Sequence, residues 1–115
     1  MADELDLSRL AELQQLLDSG LPQIVDTLLK ELDRALGAIG GALGDGDLAA
    51  AALAAHAARN SALMIDARPL LAALEALEAG ARRDDVQAAR QAHRRVGETW
   101  PPLRSQLEHA AARNP

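Results

Sequence analysis

The sequence predicts an all-α fold, an up-and-down antiparallel four-helix bundle with a short extra helix at its N-terminus, and three observations carry that expectation. Apolar residues make up 49 % of the chain and are overwhelmingly Ala and Leu, with no Phe or Tyr and a single Trp. Ala and Leu lose little rotamer freedom in a helix, whereas the β-branched and aromatic residues that suit a pleated surface are scarce. The apolar positions recur at three- and four-residue steps, and the stretches between them are short and rich in Gly, Asp and Pro, which favours antiparallel neighbours. At 115 residues the chain can bury one core but not two, so it reads as a single domain over 1–115.

The elements follow in order. A first helix is expected over about 6–18 on Leu7, Leu10, Leu13, Leu16 and Leu17, with Asp6 or Ser8 as its N-cap, before Ser19-Gly20-Leu21-Pro22 interrupts it. A second, over about 21–43, carries the stripe Ile24, Val25, Leu28, Leu29, Leu32, Leu36, Ile39 and Leu43. Gly44-Asp45-Gly46-Asp47 is a turn that offers Asp47 as the cap of a third helix over about 47–65, almost entirely alanine in its first half. Pro69 is tolerated in the first turn of a fourth, over about 68–80, built on Leu70, Leu71, Leu74 and Leu77 and ending near Gly80. Arg83-Asp84-Asp85 opens a fifth over about 84–110, on Val86, Ala89, Ala92 and Val96. Trp100-Pro101-Pro102 is expected to break or kink it before Leu103 and Leu107 resume the pattern.

Composition also excludes. The net charge of -5 arises from interspersed acids and arginines with no basic stripe, which argues against nucleic acid. Without cysteine there is no disulfide, thiolate metal site or cysteine nucleophile. No apolar stretch approaches the roughly 20 residues that span a bilayer and no signal peptide is visible, so the expected location is cytoplasmic, without direct membrane contact.

On a wheel of the helix over 47–65, Ala51, Ala54, Ala55, Ala58, Ser61, Ala62 and Ile65 share an uncharged arc. The opposite arc holds Ala49, Ala52, Leu53, His56, Arg59, Asn60 and Leu63. Inverting the helix would bury His56, Arg59 and Asn60 without evident partners, so this second arc is expected to face solvent. Leu53, Leu63 and Met64 would then be exposed apolar groups beside an exposed histidine, with Ala49 and Ala52 completing a docking patch for another protein. Spacing alone leaves His56 as one polar surface residue among others, as His93 and His109 also read. Glu75 and Glu78, less than one turn apart, read as a solvated face, Asp84-Asp85 as a cap, and Trp100 as a cover for one end of the bundle rather than a partner-binding aromatic.

The run from Asp47-Leu48 through His56-Ala57-Ala58-Arg59-Asn60-Ser61-Ala62-Leu63, then Asp66-Ala67, Pro69-Leu70 and Leu74-Glu75-Ala76-Leu77-Glu78, resembles the signature of the histidine-containing phosphotransfer (HPt) family of two-component phosphorelays. The family writes A-H-x-x-K-G-S, then an apolar segment, a Gly-Ala pair, a Leu, and a Leu-Glu on the next helix. The likeness covers almost the whole chain. It places the phosphoacceptor at His56 and the basic residue three positions on at Arg59, which keeps a permanent charge that can fork onto phosphate oxygens. Asn60 occupies the place of one family glycine and Asp66 of another.

The resemblance implies a phosphoryl carrier rather than a true enzyme. His56 would accept a phosphoryl group from a receiver-domain aspartate and pass it to another receiver, with Arg59 offsetting its charge and Asn60 available to donate a hydrogen bond. The partners implied are response-regulator receiver domains and a hybrid sensor histidine kinase, and the chain is expected to be a monomer. It would bind no cofactor or metal itself, the divalent metal belonging to the receiver. Because Asn60 narrows the space beside the imidazole, an HPt-like interaction module that binds a receiver or other signalling protein without being phosphorylated stands as the alternative.

Overall fold

The computed structural model describes residues 21–113, which form four helices: α1 (Leu21–Gly44), α2 (Leu48–Met64), α3 (Arg68–Arg82) and α4 (Val86–Arg113). The helix expected over 6–18 lies outside the described residues. Among the described residues there is no strand. Each helix packs on its sequence neighbour and α1 closes against α4, so the four stand at the corners of a square; the diagonal pairs scarcely touch, and the α1–α4 seam is thinner than the other three. The 28 residues of α4 span about 42 Å at the α-helical rise, close to the 44 Å long axis of the molecule.

Three connections of the same construction make the bundle turn. In each, the residue that ends the turn donates its N–H back to the carbonyl five residues earlier: Asp47 to Ala42 at 2.8 Å, Ala67 to Ala62 at 3.0 Å and Asp85 to Gly80 at 2.9 Å. The preceding residue donates to the carbonyl three before it and takes a left-handed backbone: Gly46 at φ 74°, Asp66 at φ 53° and Asp84 at φ 57°. This is the Schellman ending, which satisfies carbonyls that a helix terminus leaves unpaired. The closing residue also starts the next helix. Asp47 accepts from Ala50 N–H and Asp85 from Ala88 N–H, both at 3.0 Å, whereas Ala67 cannot cap and α3 has Pro69 in its first turn instead. The left-handed conformation at Asp66 gives the physical reason a glycine suits that position.

Leucines of α1, α3 and α4 meet in the core, where Leu32, Leu70, Leu74, Leu77, Leu103 and Leu107 are fully buried, together with Ile39 and Ile65. From α2 itself come only small residues, Ala51, Ala52, Ala55, Ala58, Ser61 and Ala62, which lets its neighbours approach its backbone closely. The helix α3 does not end at Gly80 but passes through it to Arg82. A Cβ at Gly80 would stand 3.1 Å from both Ala88 Cβ and Ala89 N, tighter than most Cβ contacts, so glycine suits the crossing onto α4 and a larger residue would need α4 to give by a few tenths of an ångström.

Two further expectations need correction. The helix α4 is not broken at 100–102: Pro101 and Pro102 lie inside it. Each proline removes a bond to the carbonyl four residues earlier, here Gly97 and Glu98, and all four residues are exposed, so water can take up the freed carbonyls. Trp100 is buried, and its indole N–H donates to Asp33 Oδ1 on α1 at 2.9 Å. Arg104 grips the same carboxylate through Nε and Nη2, the latter at 2.9 Å, so a polar lock holds the thin α1–α4 seam. Val86, read as core-facing, is exposed, because it is the first residue of α4 and adjoins the turn that leaves α3.

Candidate functional site

The stripe Ala52, His56, Arg59 and Leu63, spaced by four, three and four residues, runs along the edge of α2 that faces α3. Opposite it, the α3 stripe Leu70, Ala73, Leu74, Leu77, Glu78 and Ala81 is buried. One member of that stripe is a carboxylate. Glu78 is only 8 % exposed, and the edge of α2 supplies its partners. Nδ1 of His56 lies 3.2 Å from Glu78 Oε2, and Arg59 Nη1 donates to Oε1 at 2.8 Å. From its own helix, one turn on, Arg82 donates to Oε2 through Nε at 3.0 Å, with Nη2 at 2.8 Å.

Burial is the largest influence on the Glu78 carboxyl and works to raise its pKa. The hydrogen bonds from Arg59 and Arg82, with the charges of His56 and Arg59, outweigh it and hold the group below the ordinary carboxylate range. Glu78 is therefore ionised at neutral pH and can only accept, so the proton of a neutral His56 imidazole sits on Nδ1. The lone pair is left on Nε2. The His56 side chain is 57 % exposed, and a neutral imidazole with a lone pair on Nε2 is the form a nucleophile needs.

Arg59 has one strong bond, to Glu78. Its Nη2 lies 3.6 Å from Glu75 Oε2, an ion-pair distance too long for a hydrogen bond, and its Nε is buried with no partner among the described residues. Glu75 is 53 % exposed. The Glu78 hydrogen bond is the largest influence on the guanidinium and raises its pKa further, outweighing partial desolvation.

Around the imidazole, Leu53 is 68 % exposed, and Leu63, Met64, Ala49 and Asn60 are exposed as well. The side chain of Asn60 makes no hydrogen bond to a described residue. Ala52 departs from the expected patch: it is 3 % exposed, because α2 is flanked by α1 on one side and α3 on the other and its buried sector is wider than one uncharged arc. Its stripe turns toward α3, and this also draws Arg59 partly inward.

Glu78 is the residue the sequence reading misplaced. It is not on a solvated face, and it puts a second functional group against His56. The available signal was its position four residues after Leu74 and one after Leu77, in the apolar stripe of α3, with Arg82 one turn further on. Among the described residues no group of three or more His, Asp or Glu side chains is placed to hold a metal ion, and no helix is long and apolar enough to cross a membrane.

No family model matches the sequence, and no curated protein does. Among solved structures, the crystal structure of histidine-containing phosphotransfer protein B (HptB) from Pseudomonas aeruginosa PAO1 is similar over 98 % of this chain and 98 % of that one, with a TM-score of 0.90 and 26 % sequence identity. With the same bundle over nearly its whole length, and an exposed histidine on the edge of α2 that faces α3, this chain resembles the histidine-containing phosphotransfer proteins.

Proposed function

We propose that this chain is a phosphorelay intermediate in two-component signal transduction, in which Nε2 of His56 accepts a phosphoryl group from the aspartyl phosphate of one receiver domain and yields it to the aspartate of another. The observation that carries the reading is the Nδ1–Glu78 hydrogen bond, which selects the tautomer with its lone pair on Nε2. In the accepting step the lone pair attacks phosphorus, an Nε2–P bond forms, and the P–O bond to the aspartyl group breaks, returning that residue as a carboxylate. The forwarding step reverses these events on the second receiver. Glu78 holds the Nδ1 proton throughout and stabilises the positive charge that builds on the ring as Nε2 bonds to phosphorus.

Arg59 stands one turn along the same face and supplies a cation for the phosphoryl oxygens. The apolar groups Leu53, Leu63 and Met64, with Ala49, form the ring on which a receiver seats, and Asn60 lies within it. Ala52, being buried, has no part. The chain is a carrier rather than an autonomous enzyme, so the divalent ion of the transfer is assigned to the receiver. A hybrid sensor histidine kinase upstream, a cytoplasmic location and a monomeric state complete the proposal. Asn60 favours one second reading, since a side chain at that point crowds the imidazole: a module that binds receivers without being phosphorylated.

The test is transfer from a panel of phosphorylated receivers to the purified chain and to His56→Gln, scoring base-stable, acid-labile label. Label on the unsubstituted chain alone is expected. Binding without label would replace the relay with the interaction module, and Asn60→Gly would then be expected to restore labelling.

A further inference from the structure

We propose that Glu75 is a positioning residue that sets how firmly the phosphohistidine is held, by competing with the phosphoryl group for Arg59. The inference rests on the phosphoacceptor reading of His56. Around a neutral imidazole the resting cluster is balanced, with Arg59 and Arg82 against Glu75 and Glu78. A phosphoryl group on Nε2 brings close to two further negative charges, and a cation must turn toward it or the product is poorly held.

The geometry says which contact gives way. Glu78 is buried and accepts from His56, Arg59 and Arg82 together, so its release would strand three donors. Arg82 places both Nε and Nη2 on one Glu78 oxygen. Arg59 instead has a single short bond, an unpartnered Nε and the 3.6 Å approach to Glu75. Glu75 is half exposed and loses little by returning to water. The Arg59–Glu75 pair is therefore the weakest contact of the cluster, and exchanging Glu75 for phosphoryl oxygens frees the Nη2 end of the guanidinium while Nη1 stays on Glu78. A carboxylate in that place draws Arg59 away from the phosphoryl group and favours its departure to the next acceptor.

The experiment uses the full chain with His93→Gln and His109→Gln, which leaves His56 as the only histidine. Phosphoramidate serves as a donor that needs no receiver: an Nε2–P bond forms as the donor P–N bond breaks, and the donor nitrogen, already protonated in phosphoramidate, leaves as ammonia while the Nδ1 proton stays on the ring. The phosphohistidine lifetime is then followed by phosphorus NMR. Glu75→Gln is expected to lengthen it about 2- to 5-fold, the range open to a partly exposed ion pair, and Glu75→Asp to leave it near that of the parent. In an Arg59→Gln background, Glu75→Gln is expected to change nothing. An unchanged lifetime in Glu75→Gln overturns the proposal, as does a lengthening that persists without Arg59, which would mean direct repulsion by Glu75. Failure of phosphoramidate to label His56 overturns this inference and the relay together. A lifetime effect through Arg59 with no transfer from any receiver would support the role of Glu75 while removing the relay.

Discussion

Two carboxylates each tie a pair of neighbouring helices through arginine, and the contrast between them separates a structural lock from a functional one. On the α1–α4 seam, Asp33 accepts the Trp100 indole N–H and a two-pronged grip from Arg104, which also reaches Glu108 at 2.9 Å. On the α2–α3 seam, Glu78 accepts from Arg59, Arg82 and His56. Both are held below the ordinary carboxylate range. For Asp33 the Arg104 hydrogen bond is the largest influence and outweighs desolvation; for Glu78 desolvation is the largest, and only several donors acting together overcome it. Asp33 thus sits where a carboxylate settles readily. Glu78 is placed against its own solvation, and one of its donors is the ring of His56. A group kept at such a cost in burial, beside an exposed imidazole, is what the proposed phosphoryl transfer would need there.

Substitutions at the two carboxylates should therefore fail in different ways. Glu78→Gln replaces a carboxylate that can only accept with an amide that can also donate to Nδ1, so the tautomer with its proton on Nε2 gains population and phosphoryl acceptance by His56 should fall on the order of 10-fold. Nitrogen chemical shifts of the His56 ring would report the redistribution, and an unchanged tautomer with a slowed transfer would refute the explanation. Asp33→Ala should leave transfer rates as they are and cost about 1–3 kcal/mol in chemical denaturation, because a buried indole N–H loses its acceptor. A transfer defect in that variant would break the distinction between the two seams.

Acid should weaken both seams together. A carboxylate whose pKa is lower folded than unfolded binds more protons when unfolded as the pH approaches that range. Its stabilisation is thus complete above the unfolded pKa and is lost as the pH falls through the folded one. With ordinary values of 4.5 for Glu and 3.8 for Asp, the loss should begin below about pH 4.5. Denaturation midpoints measured down to about pH 3 should fall, and the fall should be shallower in Glu78→Gln and in Asp33→Asn. Equal acid limbs in all three proteins would show that neither carboxylate supplies it.

The sequence exposed the helical period and the exposed edge of α2 because both depend on which residues repeat along one helix. His56, Leu53 and Leu63 could be placed from Ala51, Ala55, Ala58 and Ala62 alone. What it hid depends on two helices at once. Glu78 read as solvated because Glu75, in its own sequence neighbourhood, is solvated; only the packing of α3 on α2 turns one inward and leaves the other half exposed. Ala52 was misplaced for the same reason, since an alanine fits either a wet or a dry face and nothing in α2 itself records that a third helix covers that edge. Pro101 and Pro102 were read by their usual effect on a helix, and the helix runs through them where the freed carbonyls meet water.

The smallest expected effect concerns the turns, where the shared construction of 44–47, 65–67 and 83–85 was not visible as a repeat because glycine fills the left-handed position in only one. Aspartate at 66 and 84 adopts a backbone that glycine reaches without steric cost, so Asp84→Gly should stabilise by roughly 0.5–1 kcal/mol. Asp66→Gly should gain less, because it forfeits the bond that Asp66 accepts from Arg68 Nε at 3.2 Å. Neither turn includes the His56 cluster, so phosphoryl transfer should not change in either variant. If Asp66→Gly altered transfer without altering the denaturation midpoint, the turn after α2 would be acting on the docking surface through Leu63 and Met64, and the division between scaffold and site would have to move to include it.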